Sequence, residues 1–337
     1  MFLVLFGDGK GTEMENTMKK VMKAMSLALV ITLVFASSAC KKSDKKETEK
    51  ETEAAAAETT YPLEITDGYG TKVTIKEEPK KIVSCSPAMT EIVFSLGKGD
   101  SLVGRTSLCN YPAEAEKVPV VLEDLYTPNL ETIVAAEPDV VFVDSMISKD
   151  AYDELGKLGC TVVSFIDETK VDGVYGRIGL MGQILNANEE ADKVIGDMKA
   201  KLDSVNDAIK DNKMKPTVYY VVSFGEGGDY TATGDTFVND ILTKAGVDNI
   251  AASATGWAYN VEDLVSQDPN IIIIPAWADG SFQTTAPYSE LTAVKEGNVI
   301  VLDSTDMLDR QCARNADAVE MIAQLVFPEC FEEQKAA

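Results

Sequence analysis

NLETIVAAEPDVVFV runs from Asn129 to Val143, and NVEDLVSQDPNIIII runs from Asn260 to Ile274. Asn, Glu, Val and Pro recur in register, and apolar residues match at nearly all the other positions. Each copy reads as one unit. The Asn side chain caps a short helix, the Glu lies in its first turn where the helix dipole favours a carboxylate, and the Pro ends it before a buried strand. A helix leading into such a strand is part of a parallel α/β unit, so two copies imply two similar lobes. The alternative is a fortuitous likeness, because all α/β units share this period.

From Tyr61 onward, short β-branched runs alternate with helical patterns. Strands are predicted at KIVSCS (81–86), DVVFVD (139–144), TVVSF (161–165), TVYYVVS (217–223), NIIIIP (270–275) and NVIVLD (298–303). Between the two copies lie two helical patterns, ETKVDGVYGRIGLMGQILN and NEEADKVIGDMKAKLDSVNDAIKDN. At 1.5 Å per residue the second reaches about 37 Å, enough to span both lobes and to restrict them to small opening motions. The expected organisation is an N-terminal α/β lobe over 61–186, a bridging helix over 187–213 and a C-terminal α/β lobe over 214–332.

The N-terminal segment reads as an export signal over 1–39. Lys19, Lys20 and Lys23 precede an apolar run from Met25 to Phe35, then Ala36, Ser37, Ser38 and Ala39 lead to Cys40. Asp8, Glu13 and Glu15 do not suit a positive n-region, so residues 1–17 lie upstream of the true start if that start is Met18. GDGKGT at 7–12 lacks the spacing of a phosphate loop. A cysteine directly after small residues resembles the bacterial lipobox, which implies diacylation of Cys40, although Ser37 stands where that motif usually has Leu. An ordinary secretory signal with an incidental cysteine is the alternative. Residues 40–60 are charged and of low complexity, with nothing to bury, and read as a tether from a lipid anchor.

Composition narrows the function. The chain holds 55 Asp+Glu against 31 Lys+Arg, a formal net charge of -24, which repels nucleic-acid backbones. It has no histidine, which removes the commonest transition-metal ligand and general base and disfavours zinc-capture proteins and Ser-His-Asp or Cys-His enzymes. No catalytic residues and no resident cofactor or metal are expected. Five cysteines remain beyond Cys40, an odd number that requires a free thiol or an intermolecular bond; burial is their default role, with Cys109 the best candidate for a cleft position.

In open parallel sheets ligands meet the carboxyl ends of strands. Trp277 directly follows a predicted strand, Trp257 and Tyr259 stand before the second repeat helix, and Tyr126 stands before the first. Aromatic faces suit a large planar or apolar metal complex, with simple packing the alternative for each. Phe224, with Gly225 and Gly228, follows TVYYVVS in a loop able to approach a ligand closely.

YPLEITDGYGTKVTIKEEPKKIVSCSPAMTEIVFSLGKGDSLVG at the head of the domain resembles the ferric siderophore and cobalamin binding proteins of ABC importers. NYPAEAEKVPVV, the first repeat copy, TGDTFVNDILTKAGVDNI and AVKEGNVIVLD follow in that family's order, and the resemblance covers nearly all of 61–330. It implies an α/β fold of two Rossmann-like lobes joined by a single long helix, a bilobal helical-backbone substrate-binding protein with its ligand between the lobes. It places a permease-docking glutamate on each lobe, at Glu131 and Glu262, for which helix stabilisation is the alternative role. It also implies a cleft arginine for an anionic ligand group, at Arg310 or Arg314; the family's Pro-Arg reads Ala313-Arg314 here, and pairing with a structural carboxylate is the alternative.

The expectation is therefore a monomeric, exported protein, lipid-anchored to the outer face of the bacterial cytoplasmic membrane. It would deliver a ferric siderophore, corrinoid or haem to an ABC permease dimer. A chelatase-like enzyme and a surface receptor acting without a permease are the rivals on the same fold.

Overall fold

A computed structural model describes residues 58–124 and 128–332. The export signal, Cys40 and most of the tether lie outside the described residues. The described chain opens with β1 (Leu63–Thr66) and β2 (Lys72–Ile75), an antiparallel pair. The N-terminal lobe follows as β3 (Ile82–Ser84), α1 (Pro87–Ser95), β4 (Leu102–Thr106), β5 (Val120–Leu122), α2 (Leu130–Ala135), β6 (Val140–Val143), α3 (Lys149–Lys157), β7 (Val162–Ser164) and α4 (Val171–Ile184). The long helix α5 (Asn188–Ile209) leads to β8 (Thr217–Ser223), β9 (Tyr230–Thr231), α6 (Phe237–Lys244), β10 (Asp248–Asn249), α7 (Val261–Gln267) and β11 (Ile271–Pro275). The chain then forms α8 (Ser281–Thr284), α9 (Thr292–Glu296), β12 (Val299–Leu302), α10 (Asp306–Asp309) and α11 (Asn315–Val326).

Two parallel sheets result. The first has the order β5-β4-β3-β6-β7; the second runs β10-β8-β11-β12, with β9 antiparallel on β8. Helices cover both faces, so the strands are apolar on both sides, as parallel strands must be. Ile82, Val140 and Phe142 join the core with Met89 of α1 and Ile178 of α4, while Val83, Val141 and Val143 join Ile133 of α2 and Leu155 of α3. In the second sheet Val218 and Tyr220 face Ile241 and Val319, and Tyr219, Val221, Ile272 and Ile274 face Leu264, Phe282 and Tyr288.

The long helix α5 has 22 residues, narrower than the 187–213 expected, and reaches about 33 Å at 1.5 Å per residue. Its buried residues Ala191, Met198 and Val205 fall on one stripe, which packs between α4 and α11. That stripe lies in a single apolar cluster containing residues of both sheets, so the helix is a shared wall rather than a free linker.

The repeated unit takes the same shape twice. Asn129 and Asn260 accept from the backbone N–H of Glu131 at 3.1 Å and of Glu262 at 2.7 Å. Each unit also turns into its proline through a left-handed residue, Glu137 at φ 48° and Asp268 at φ 41°.

Before β3, Glu78 pairs with Lys80 at 2.6 Å and with Lys98 at 3.2 Å, and accepts from the Asn186 amide at 3.4 Å. The Lys80 hydrogen bond above all, with Lys98 and Asn186 acting against desolvation, holds its carboxyl at about 2 rather than 4.5. A depressed carboxyl pKa stabilises the fold above the unfolded value and loses that contribution as pH falls through the folded one. The melting-temperature difference between wild type and Glu78→Gln should therefore be full at neutral pH and shrink as pH falls from 4.5 to about 2. A difference independent of pH would assign the effect to packing.

Candidate functional site: the seam between two carboxyl edges

Strand order reverses at β3/β6 in the first sheet and at β8/β11 in the second. Crevices outside the carboxyl ends of such strand pairs are where open α/β sheets hold ligands. The loops at these ends meet across the seam. Arg310, after β12, donates to Leu108 O and Asn110 Oδ1 after β4, and the backbone N–H of Glu168, after β7, donates to Gln311 Oε1.

The C-terminal side of the seam is aromatic. Phe224, after β8, and Trp277, after β11, stack with centroids 6.0 Å apart and planes 9° apart. Phe282 and Tyr288 meet the Phe224 ring edge-on at 5.1 and 5.3 Å. Tyr288 is fixed in turn, its hydroxyl donating to Asp229 at 2.5 Å and accepting from the backbone N–H of Gly225 at 3.0 Å. Gly225 and Gly228 hold positive φ of 88° and 97°, which only glycine adopts freely, and Gly228 N–H closes the turn onto Gly225 O. The outer ring of this set is open: Trp277 is 63% exposed.

Trp257 is 40% exposed and has φ 70°, a left-handed backbone that costs a non-glycine residue about 1 kcal/mol or more. Hydrogen bonds hold it there. Trp257 N–H donates to Thr233 Oγ1 at 3.0 Å, Trp257 O accepts from Thr231 N–H at 2.8 Å, and Gly256 N–H reaches the Asp235 carboxylate. The Thr233 hydroxyl, followed by Gly256, keeps the Asp235 carboxyl below its ordinary value.

Tyr259 is committed to the lobe itself. Its ring tilts against buried Tyr219 at 5.7 Å, and its hydroxyl donates to Ile250 O and accepts from Gln267. Tyr126 lies outside the described residues. On the N-terminal edge, Leu108 after β4, Met146 after β6 and Ile166 after β7 are large apolar side chains left exposed. Asp144, at the end of β6, has its carboxyl raised above the ordinary range by burial first, with Asp167 adding to it.

Sequence reasoning missed Glu91 on α1. Its side chain is 4% exposed and receives both seam arginines. Arg314 grips it with Nε at 2.7 Å and Nη2 at 2.6 Å, and Arg310 Nη1 donates at 2.9 Å. Arg310 also pairs with Asp306 at 2.9 Å, and the Arg314 guanidinium lies 3.9 Å from the centroid of the Tyr111 ring. The Cys312 thiol, its pKa pushed up by burial first and then by Glu91, donates to Glu91 Oε2 at 3.0 Å. The arginines thus bind a carboxylate of the opposite lobe. Arg314 takes the structural alternative, and Arg310, expected at the ligand, sits in the same clasp.

Cys109 does not line an open cleft: it is 1% exposed and lies against the hydroxyls of Thr90 and Thr106. All five described cysteines are free thiols. Glu131 and Glu262 are both exposed, each in the first turn of its repeat helix. Among the described residues no group of three or more His, Cys, Asp or Glu could hold a metal ion, and no helix is long and apolar enough to cross a membrane.

Twin doubly wound lobes around one stiff helix, with open rings at a switch point, define a bilobal binding protein. The chain belongs to the periplasmic binding protein family, whose pattern matches residues 82–305. It is 33% identical over 282 residues to an uncharacterized ABC transporter substrate-binding lipoprotein of Bacillus subtilis (strain 168), across 81% of this chain and 88% of that one. A cobalamin-binding protein of Halobacterium salinarum is 28% identical over 258 residues, across 73% of this chain and 69% of its own length. The same fold occurs in the periplasmic vitamin B12 binding protein of Vibrio cholerae, with a TM-score of 0.64 and 23% identity over 75% of this chain and 98% of that one. It occurs again in the apo form of a periplasmic heme-binding protein of Roseiflexus sp. RS-1, with a TM-score of 0.67 and 20% identity over 74% and 99%.

Proposed function

We propose that this protein is the extracytoplasmic solute-binding component of an ABC importer, and that it captures a ferric siderophore, corrinoid or haem between its lobes and hands it to the permease. The observation that carries the reading is the Phe224–Trp277 stack. One face of the stack is locked by Phe282 and Tyr288, and its outer ring stands open at the C-terminal switch point. Fixed aromatic faces bind a large, partly apolar complex with little loss of side-chain freedom. Trp257 and the exposed apolar residues of the N-terminal edge extend that surface, while the clasp ties the lobes at its end. The names of the relatives support the ligand class, and the lipoprotein relative supports anchoring through Cys40. Glu131 and Glu262, at matching places on two like lobes, would dock onto cations of a two-fold permease.

Tryptophan emission of the purified protein, titrated with ferric siderophores, haem and corrinoids, tests this reading. Saturable quenching by one class is expected, and silence to all of them would end the proposal. Trp277→Ala should weaken the ligand that binds by roughly 2 kcal/mol, about thirtyfold, the scale of one large aromatic face left uncovered. An unchanged affinity would move the ligand away from β11.

A further inference from the structure

We propose that Glu91 sets the charge class of the ligand: by occupying both seam arginines, it leaves the cleft open to uncharged or cationic metal complexes and closed to anionic ones. The inference rests on the metal-complex reading above and deepens it.

The donors that the seam arginines direct at Glu91 are not available to an anion without breaking the clasp. Arg314 presents Nε and Nη2 to Glu91 and lays its face on Tyr111. Arg310 directs Nη1 to Glu91 and Asn110, and Nη2 to Leu108 O and Asp306. Their side chains are only 17% and 12% exposed. An anion seeking the donors that face Glu91 would have to displace a buried carboxylate already held by charge-assisted hydrogen bonds, which are among the strongest a protein makes. Arg177, buried nearby, directs its terminal nitrogens to the oxygens of Ile166 and Gln311.

The other charges on the carboxyl-edge loops are mostly negative. Asp144 and Asp167 follow β6 and β7, Asp229 and Asp279 follow β8 and β11, and Asp303 follows β12. Apart from the two arginines, the cations on these loops among the described residues are Lys117, between β4 and β5, and Lys170, directly before α4. Lys149, the first residue of α3, is paired with Asp153. A cleft lined with one sign of charge focuses that field on its occupant. Carboxylates repel an anionic complex, whereas they accept hydrogen bonds from amide or ammonium N–H groups on an uncharged or cationic one. The aromatic wall is indifferent to this choice, so selection falls to the polar groups, and Glu91 decides whether two positive charges are available.

Equilibrium dialysis of the full chain and its Glu91→Gln variant against cyanocobalamin (uncharged), ferrioxamine B (cationic) and ferric enterobactin (a trianion) tests the inference. Wild type should bind an uncharged or cationic complex at least about a hundredfold more tightly than the trianion, and Glu91→Gln should narrow that ratio about tenfold by gaining affinity for the trianion. Preference of the wild type for the trianion, or an equal ratio in the two proteins, overturns the inference. Should Glu91→Gln fail to fold, the salt dependence of the wild type decides. Screening relieves repulsion, so trianion affinity that rises with sodium chloride supports the inference, and affinity that falls overturns it. If neither these probes nor haem binds folded wild type, the metal-complex reading itself falls.

Discussion

Lysine in place of both Glu131 and Glu262 is expected to abolish uptake while the isolated protein binds its ligand as before. Both carboxylates are exposed, and neither takes part in an ion pair among the described residues. Their backbone N–H groups are already capped by Asn129 and Asn260, so the helix starts survive the exchange. Loss of the favourable helix-dipole contact costs about 0.3–1 kcal/mol at each site, too little to unfold a lobe. Close charge pairs between proteins couple by about 1.5–7 kcal/mol, so losing two of them should cut productive docking at least a hundredfold. Transport into vesicles carrying the importer, measured beside equilibrium binding, separates the effects. Undiminished transport would remove the docking role and leave both residues as helix stabilisers.

The second large effect concerns stability. Glu91→Ala strands Arg310 and Arg314 at the seam, and removing one member of a buried ionic group costs about 3–5 kcal/mol. For a chain of this size that lowers the melting temperature by roughly 10 °C. Apolar replacement of all three residues together should recover much of the loss, because the cost comes from uncompensated charge rather than from lost volume. Calorimetry of the single and triple variants checks both statements. A Glu91→Ala protein that melts with wild type would mean that water already screens the clasp.

How far the sequence foretold this structure depends on how local each determinant is. The repeated unit could be read because each of its parts acts within a turn or two: an Asn that caps, a Glu at the positive helix end, a Pro that stops it, and a β-branched run. The long helix was legible for the same reason, its apolar stripe recurring on one face. Strand β4 was not. Its LVGRT interrupts the apolar run with Gly104, where a Cβ would lie 2.6 Å from Val121, and with Arg105, whose buried guanidinium donates to the carbonyls of Val118, Thr106 and Glu116. Both residues answer to β5 and its approach, which no local pattern displays.

The site divides along the same line. Trp277 and Phe224 could be picked out because each follows a strand whose end was already marked. Tyr259 was singled out because it stands before the second repeat helix, yet its ring turns against Tyr219 on β8, a contact made by tertiary packing. Glu91 gave a faint signal, a carboxylate inside the apolar run AMTEIVF of α1. What makes it matter is Arg310 and Arg314, which stand 219 and 223 positions away and meet it only when the lobes are assembled. Cys109 was the cysteine offered for a cleft position, but Thr90 and Thr106 close over it.

Hydrogen exchange of the protein with and without its saturating ligand tests the central claim most directly. Occupation of the seam should protect the loops after β8 and β11, around Phe224–Asp229 and Ala276–Tyr288, together with the loops after β6 and β7, around Asp144–Ser148 and Phe165–Glu168. Protection confined to the opposite edge of the second sheet would contradict the account. There, Leu202, Lys215, Lys244 and Phe327 help line a recess of about 490 Å³.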